Sequence, residues 1–180
     1  MKEIALHILD IAENCITAEA NRVSISLVED ASGLQTISVT DNGKGMTEQE
    51  SKRASDPFFT SRSTRKVGLG IPLFRQHAEM AGGSFRIYSV RGRGTSVEGS
   101  FQKGHPDRQP LGDMEGCWLL LATANPEIEW ELICRNEAGG FTISTSEIRS
   151  TLGVETIGGS ELKDQLKRMI RNNIESLGIE

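Results

Sequence analysis

Three short segments of the chain carry paired glycines: Asp41-Asn42-Gly43-Lys44-Gly45-Met46, Gly68-Leu69-Gly70-Ile71-Pro72 and Gly92-Arg93-Gly94-Thr95. Paired glycines mark places where a backbone turns tightly or comes close to another group. The first segment sets a carboxylate at the end of a strand-like run. The second opens a helix-like run, and a helix N-terminus is a natural phosphate site. Three such segments in order, within about 55 residues, imply a nucleotide pocket built from loops. Of the 19 glycines, 13 lie between Gly33 and Gly116, so permissive backbone is concentrated in this region.

A chain of 180 residues holds one medium domain, or a small domain with an appendage. Its net charge of −5 argues against a dedicated nucleic-acid binder, which needs a basic face. Locally the balance reverses. Lys52, Arg53, Arg62, Arg65 and Lys66 stand against Asp56 alone between Ser51 and Val67. That segment reads either as a solvated loop or as a cover over bound phosphates. Cys15, Cys117 and Cys134 are odd in number and widely spaced. They suggest reduced thiols in a cytoplasmic protein, with neither a disulfide framework nor a zinc site. No signal-peptide pattern opens the chain, and no apolar run approaches the ~20 residues that span a bilayer, so no membrane association is expected.

Residues 2–19 read as a helix that is apolar on most sides. Its polar positions, Glu3, His7, Asp10, Asn14 and Thr17, fall on one stripe roughly 80° wide at about 100° per residue. Such a stripe on a buried helix must face water, a partner or a ligand. Two strands follow, with Val23, Ile25 and Leu27, then Ile37 and Val39, in alternation; the second ends at Asp41. Thr47 and Glu50 pattern a capping box for a short helix over 47–54. Residues 55–68, with Phe58-Phe59 and Thr60, read as a long loop of the lid type. A helix is expected over 70–81, ended by Gly82-Gly83, then a hairpin of strands at 84–90 and 94–101. Residues 102–114 are rich in Gly and Pro and read as a linker. Strands are expected at 117–124, 128–135 and 140–144, a short helix from Ser144 or Thr145 to Leu152, and a terminal helix over 160–177.

The order of these motifs over about residues 1–103 resembles the GHKL superfamily of gyrase B-type, chaperone-type, histidine-kinase and MutL-type ATPases. An asparagine segment stands at Asp10-Ile11-Ala12-Glu13-Asn14 and an aspartate-glycine box at 41–45. A phenylalanine box lies at Asp56-Pro57-Phe58-Phe59, and two further glycine boxes at 68–71 and 92–95. The phenylalanine box and Gly-Leu-Gly-Ile are most similar to histidine kinases. The resemblance implies a Bergerat-type α/β (α+β) two-layer sandwich: a mixed, mostly antiparallel sheet with helices on one face. The expected division is an ATP-binding domain over 1–103, a linker over 104–114 and a small α+β extension over 115–180.

By the same resemblance, ATP or ADP is the ligand and Mg²⁺ its companion. Asn14 would supply the metal an oxygen. Asp41 would accept from the adenine amino group, with Gly43, Gly45 and Met46 packing at the base and Thr95 bonding near it. Thr60, Gly68, Leu69, Gly70 and Ile71 would surround the phosphates. Asp10 stands where hydrolytic members carry a glutamate, as a catalytic base or as a partner of the metal's waters. His7 reads as a histidine on the polar edge rather than a phosphoacceptor. The resemblance implies an ATP-binding regulatory protein with slow ATPase or protein-kinase (serine or histidine) activity and a protein partner. Two alternatives stay open: a non-catalytic ATP-sensing subunit of a larger complex, and an ATP-gated dimer.

Overall fold

The computed structural model describes residues 2–54 and 70–179. Helix α1 (Ile4–Thr17) buries Ile4, Ala5, Ile8, Ile11, Ala12 and Cys15, as its nearly continuous apolar surface requires. It stops where Glu19 takes a left-handed φ of 59°. Strands β1 (Arg22–Glu29) and β2 (Leu34–Asp41) form an antiparallel hairpin with Ile25 opposite Val39. The turn between them is closed by Asp30, whose carboxylate accepts from the Ser32 and Leu34 N–H groups.

Helix α2 (Glu48–Ala54) begins with the expected capping box. The Glu50 carboxylate accepts from the Thr47 N–H at 2.8 Å, and Thr47 Oγ1 accepts from the Glu50 N–H at 3.3 Å. Helix α3 (Gly70–Met80) ends with the Gly83 N–H donating to the Ala78 carbonyl. Strands β3 (Phe85–Val90) and β4 (Gly94–Gln102) are the expected hairpin.

The next element departs from the sequence reading. Residues 117–124, expected as a strand, belong to helix α4 (Met114–Ala124). The run Cys117 to Ala124 is too uniformly apolar for its period to separate strand from helix. What decides is the cap, since the Asp113 carboxylate accepts from the Gly116 N–H at 2.9 Å. Strands β5 (Glu129–Asn136) and β6 (Gly139–Ser144), then helices α5 (Thr145–Leu152) and α6 (Ser160–Ser176), complete the chain.

All six strands form one sheet in the order β3-β4-β2-β1-β5-β6. Only β1 and β5 run parallel; the other neighbours are antiparallel. The residues after the Gly/Pro-rich linker thus extend the same sheet. One sheet face is apolar, carrying Val23, Ile25, Leu27, Ile37, Val39, Trp130 and Leu132 in the core under α1, α3 and α4. The other face is polar, with Ser24, Ser26, Ser38 and Ser96 partly exposed. Helix α6 lies on α4 through Leu166, Ile170 and Ile174. It is fixed there by Arg171 donating to Glu115 at 2.7 Å and by Lys167 pairing with Asp113 at 2.7 Å. No helix among the described residues is long and apolar enough to cross a membrane.

Trp130 is fully buried on β5, opposite Val23 of β1, and its indole N–H donates to the Asn125 carbonyl at 3.2 Å. Trp130→Ala should cost about 3–5 kcal/mol and lower the urea midpoint of one shared transition. Circular dichroism and tryptophan fluorescence should report the same midpoint; an early step confined to residues 115–180 would contradict this coupling.

Candidate functional site

The helix-facing side of the sheet changes character at one end. Cross-strand pairing sets Ser89 opposite Thr95, Thr95 opposite Asp41, and Asp41 opposite Val23. One step inward the same four strands present Ile87, Val97, Val39 and Ile25. Two hydroxyls and a carboxylate thus replace aliphatic side chains in the row beside the glycine-rich turns.

The 41–46 turn holds that row in place. Asp41 is 8% exposed, and its Oδ1 accepts from the Gly43 N–H at 2.7 Å. The Lys44 N–H donates to the Ala18 carbonyl just past the end of α1, at 2.9 Å. Gly45 sits at φ 61°, and a Cβ there would run into the Val90 carbonyl, so only glycine fits. The Met46 N–H donates to Ser89 Oγ at 2.8 Å, and that hydroxyl shares a hydrogen bond with Thr95 Oγ1, also at 2.8 Å. Ser89 was not among the residues singled out from the sequence. Its signal is a polar residue in register with Phe85 and Ile87, where alternation calls for an apolar one. Cys15 lies under the same row. Burial pushes its thiol pKa up, and the Asp41 carboxylate beside it pushes it further.

A second group gathers where α1 meets the start of α3. Gly70, the first residue of α3, lies so close to Asp10 that a Cβ on it would stand 2.8 Å from the Asp10 Cβ. Asp10 is half-buried, and Ile71 packs partly buried against the core. Asn14 is exposed on α1, one turn from Asp10 and one turn from Ala18, between the two groups. Asp10, Gly70 and Ile71 thus fall together at one end, and Asp41, Gly43, Gly45, Met46 and Thr95 at the other. Thr60, Gly68 and Leu69, with most of the basic segment, lie outside the described residues.

The polar stripe of α1 divides along its length. His7, expected on a polar edge, is instead buried at 1% exposure. Its ring lies 6.0 Å from Phe74 and 5.1 Å from His77, centroid to centroid. Helix α3 covers this part of the stripe, which the α1 sequence alone does not disclose. His7 Nε2–H donates to Gln109 Oε1 at 2.9 Å. Desolvation lowers the His7 pKa from 6.5 to about 4, against the raising effect of the Gln109 bond.

The model of the histidine kinase-, DNA gyrase B- and HSP90-like ATPases matches residues 2–104, more than half of the chain. The chain therefore belongs to that family. It is similar to the signal transduction histidine-protein kinase AtoS of Escherichia coli, 31% identical over 96 residues, covering 53% of this chain and 16% of AtoS. It is also similar to the sensor-like histidine kinase SenX3 of Mycolicibacterium smegmatis, 29% identical over 112 residues, covering 59% of this chain and 29% of SenX3. The chain thus spans less than a third of these kinases. The Aquifex aeolicus MutL ATPase domain complexed with ADP superposes with a TM-score of 0.51 at 15% identity, over 86% of this chain and 70% of that domain. The N-terminal domain of a DNA repair protein gives a TM-score of 0.54 at 15% identity, over 81% of this chain and 52% of that one. At these identities the structures share the fold.

The buried imidazole gives a pH signature. His7 holds fewer protons in the folded chain than in the unfolded one between pH 6.5 and 4. The stability of the neutral ring is complete above about pH 6.5 and is lost as pH falls towards 4, by roughly 3 kcal/mol. Urea titrations from pH 7 to 4 should show the native chain losing stability more steeply than His7→Gln. Parallel profiles would contradict a buried neutral His7.

Proposed function

We propose that the chain binds ATP with Mg²⁺ between α1, the 41–46 turn and the start of α3. It acts as a regulatory protein with slow ATPase or protein-kinase activity, on serine or histidine. The observation that carries this reading is the polar end of the helix-facing sheet. Ser89, Thr95 and Asp41 stand in one row there, beside a helix that presents Asn14 and Asp10 one turn apart.

Each residue has a physical task. The buried Asp41 carboxylate accepts from the exocyclic amino group of adenine and repels the carbonyl that guanine places there. Thr95 bonds near the base, directly or through water. Gly43, Gly45 and Met46 form the turn against which the base packs. The N–H groups of Gly70 and Ile71 at the start of α3, which the helix itself does not satisfy, face the phosphates, aided by the helix dipole. Thr60, Gly68 and Leu69 are assigned to the phosphates as well.

The residues present fit magnesium. No group of three or more His, Cys, Asp or Glu gathers among the described residues. Magnesium held by one protein oxygen, phosphate oxygens and water needs no such cage. Exposed Asn14 offers that one oxygen. When bound, the ion supplies charge neutralisation on the phosphates. Asp10 accepts the proton of the attacking water or hydroxyl, which needs an approach of about 2.6–3.2 Å. Its arm is one methylene shorter than glutamate. That shortness favours the second reading, a non-catalytic ATP sensor whose nucleotide state is read by a protein partner.

Calorimetry and phosphate release test both. Asp41→Asn should weaken Mg·ATP binding about 10–100-fold, the loss of one hydrogen bond to a charged acceptor; unchanged affinity removes Asp41 from the site. Asp10→Asn should keep Mg·ATP affinity within threefold while γ-phosphate release or transfer falls by about 100-fold or more. Tight binding by the native chain, with neither release nor transfer, selects the sensor.

A further inference from the structure

Residues 108–111 do not behave as a free connection. The first turn of α1 has no side-chain cap at Glu3. Its Ile4 and Ala5 N–H groups instead donate to the Pro110 and Leu111 carbonyls, at 3.0 and 2.9 Å. These are donors that every helix leaves unpaired at its start, and here a segment about a hundred residues away in the sequence satisfies them. Immediately before, the Arg108 guanidinium donates to the buried Gln35 Oε1 on β2 at 2.7 Å. The strap is thus tied to the sheet and to the first helix at once.

Between those ties stands Gln109. Its Oε1 accepts from His7 Nε2–H at 2.9 Å, and its amide N–H donates to His77 Nε2 at 3.3 Å. His7 lies on α1 and His77 on α3, so one amide spans the two helices. The same pair meets again at Asp10 and Gly70. At 1.5 Å per residue, His77 lies about 10 Å along α3 from Gly70, and His7 about 5 Å along α1 from Asp10. The amide therefore fixes the spacing of the two helices a short lever arm from the groups assigned to the phosphates and the attacking nucleophile.

We propose that Gln109 is a positioning residue, which couples the strap at residues 108–111 to the phosphate end of the nucleotide site by holding α1 and α3 at a set separation. This rests on the nucleotide reading above. An amide suits the task because it is donor and acceptor at once, matching one imidazole N–H and one imidazole lone pair. An aliphatic side chain of similar size would fill the space but could neither accept from His7 nor donate to His77. The strap joins the ATPase region to α4, which opens the next part of the chain. A partner that displaced the strap would therefore loosen the phosphate grip without touching it. The base end, at Asp41 and Thr95, lies towards the other end of α1, which the Lys44–Ala18 bond holds without the strap.

That asymmetry makes the proposal testable on the full chain, by calorimetry with Mg·ATP and with adenosine as separate probes. Gln109→Leu should weaken Mg·ATP about tenfold and leave adenosine within twofold. Gln109→Glu, which keeps the acceptor for His7 and can accept from a reprotonated His77 tautomer, should restore Mg·ATP to within twofold of native. His77→Leu breaks only the α3 end and should reproduce the selective loss, which keeps the test open should Gln109→Leu fail to fold. Equal weakening of both probes, or Mg·ATP affinity within twofold of native in Gln109→Leu and His77→Leu alike, overturns the positioning role and leaves the nucleotide reading standing. A native chain that binds neither probe overturns the nucleotide reading, and the positioning role with it.

Discussion

The junction between the end of α1 and the 41–46 turn is the interaction on which the rest of the site depends. Helices leave carbonyls unpaired at their C-terminal ends, and here the Lys44 N–H reaches the Ala18 carbonyl just past the last turn. Around that bond the Asn42 side-chain oxygen accepts from the Asn21 and Arg22 N–H groups. The Lys44 carbonyl accepts from the Gly92 N–H of the β3–β4 hairpin at 2.7 Å. One turn thereby locks the first helix, the central strand pair and the edge hairpin together. Without it, Asp41 would be a carboxylate on an unsupported strand end. With it, Asp41 is a buried acceptor whose one oxygen is held by Gly43 and whose neighbours are hydroxyls.

Helix α1 is consequently held at both ends by segments distant in sequence. The turn fixes its C-terminal end, and the carbonyls of Pro110 and Leu111 fix its start. Between these anchors its apolar faces are in the core, so it has little freedom to rotate or slide. A helix held in this way can present Asp10 and Asn14 at fixed heights against α3. The sheet beneath it continues without a break from β1 into β5 by parallel pairing. The apolar helix α4 covers that continuation, and polar, amphipathic α6 closes over α4. The apolar core thus runs from Phe74 at one side to Ile170 at the other.

Much of this was legible from residue order. The capping box of α2, the Gly82-Gly83 stop of α3 and the Arg91 to Gly94 hairpin are local agreements between a backbone group and a nearby side chain or glycine. Those need no tertiary information. The assignment of residues 117–124 failed for a local reason too: a run of Cys, Trp, Leu and Ala is buried as readily in a helix as in a strand. A serine near a strand end, such as Ser89, carries no signal until its register is known. Its role depends on which residues of β4 and of the 41–46 turn stand opposite. For His7, the polar stripe says only that something polar or wet must face it. That the covering group is α3, with the Gln109 amide between two imidazoles, is a property of packing.

The sequence by itself determined the element types over most of the chain, the glycine positions that permit close backbone approach, and the family. Each of these is encoded within a few residues, by periodicity, capping and steric permission. Only the tertiary structure decided which residues share a row, which stretch of the polar stripe is buried, and that a Gly/Pro-rich linker ties α1 to α3 and to the sheet. Those facts rest on hydrogen bonds between groups up to about a hundred residues apart. The donors and acceptors are visible in the sequence, but their pairing is set by how the sheet and helices close around a single core.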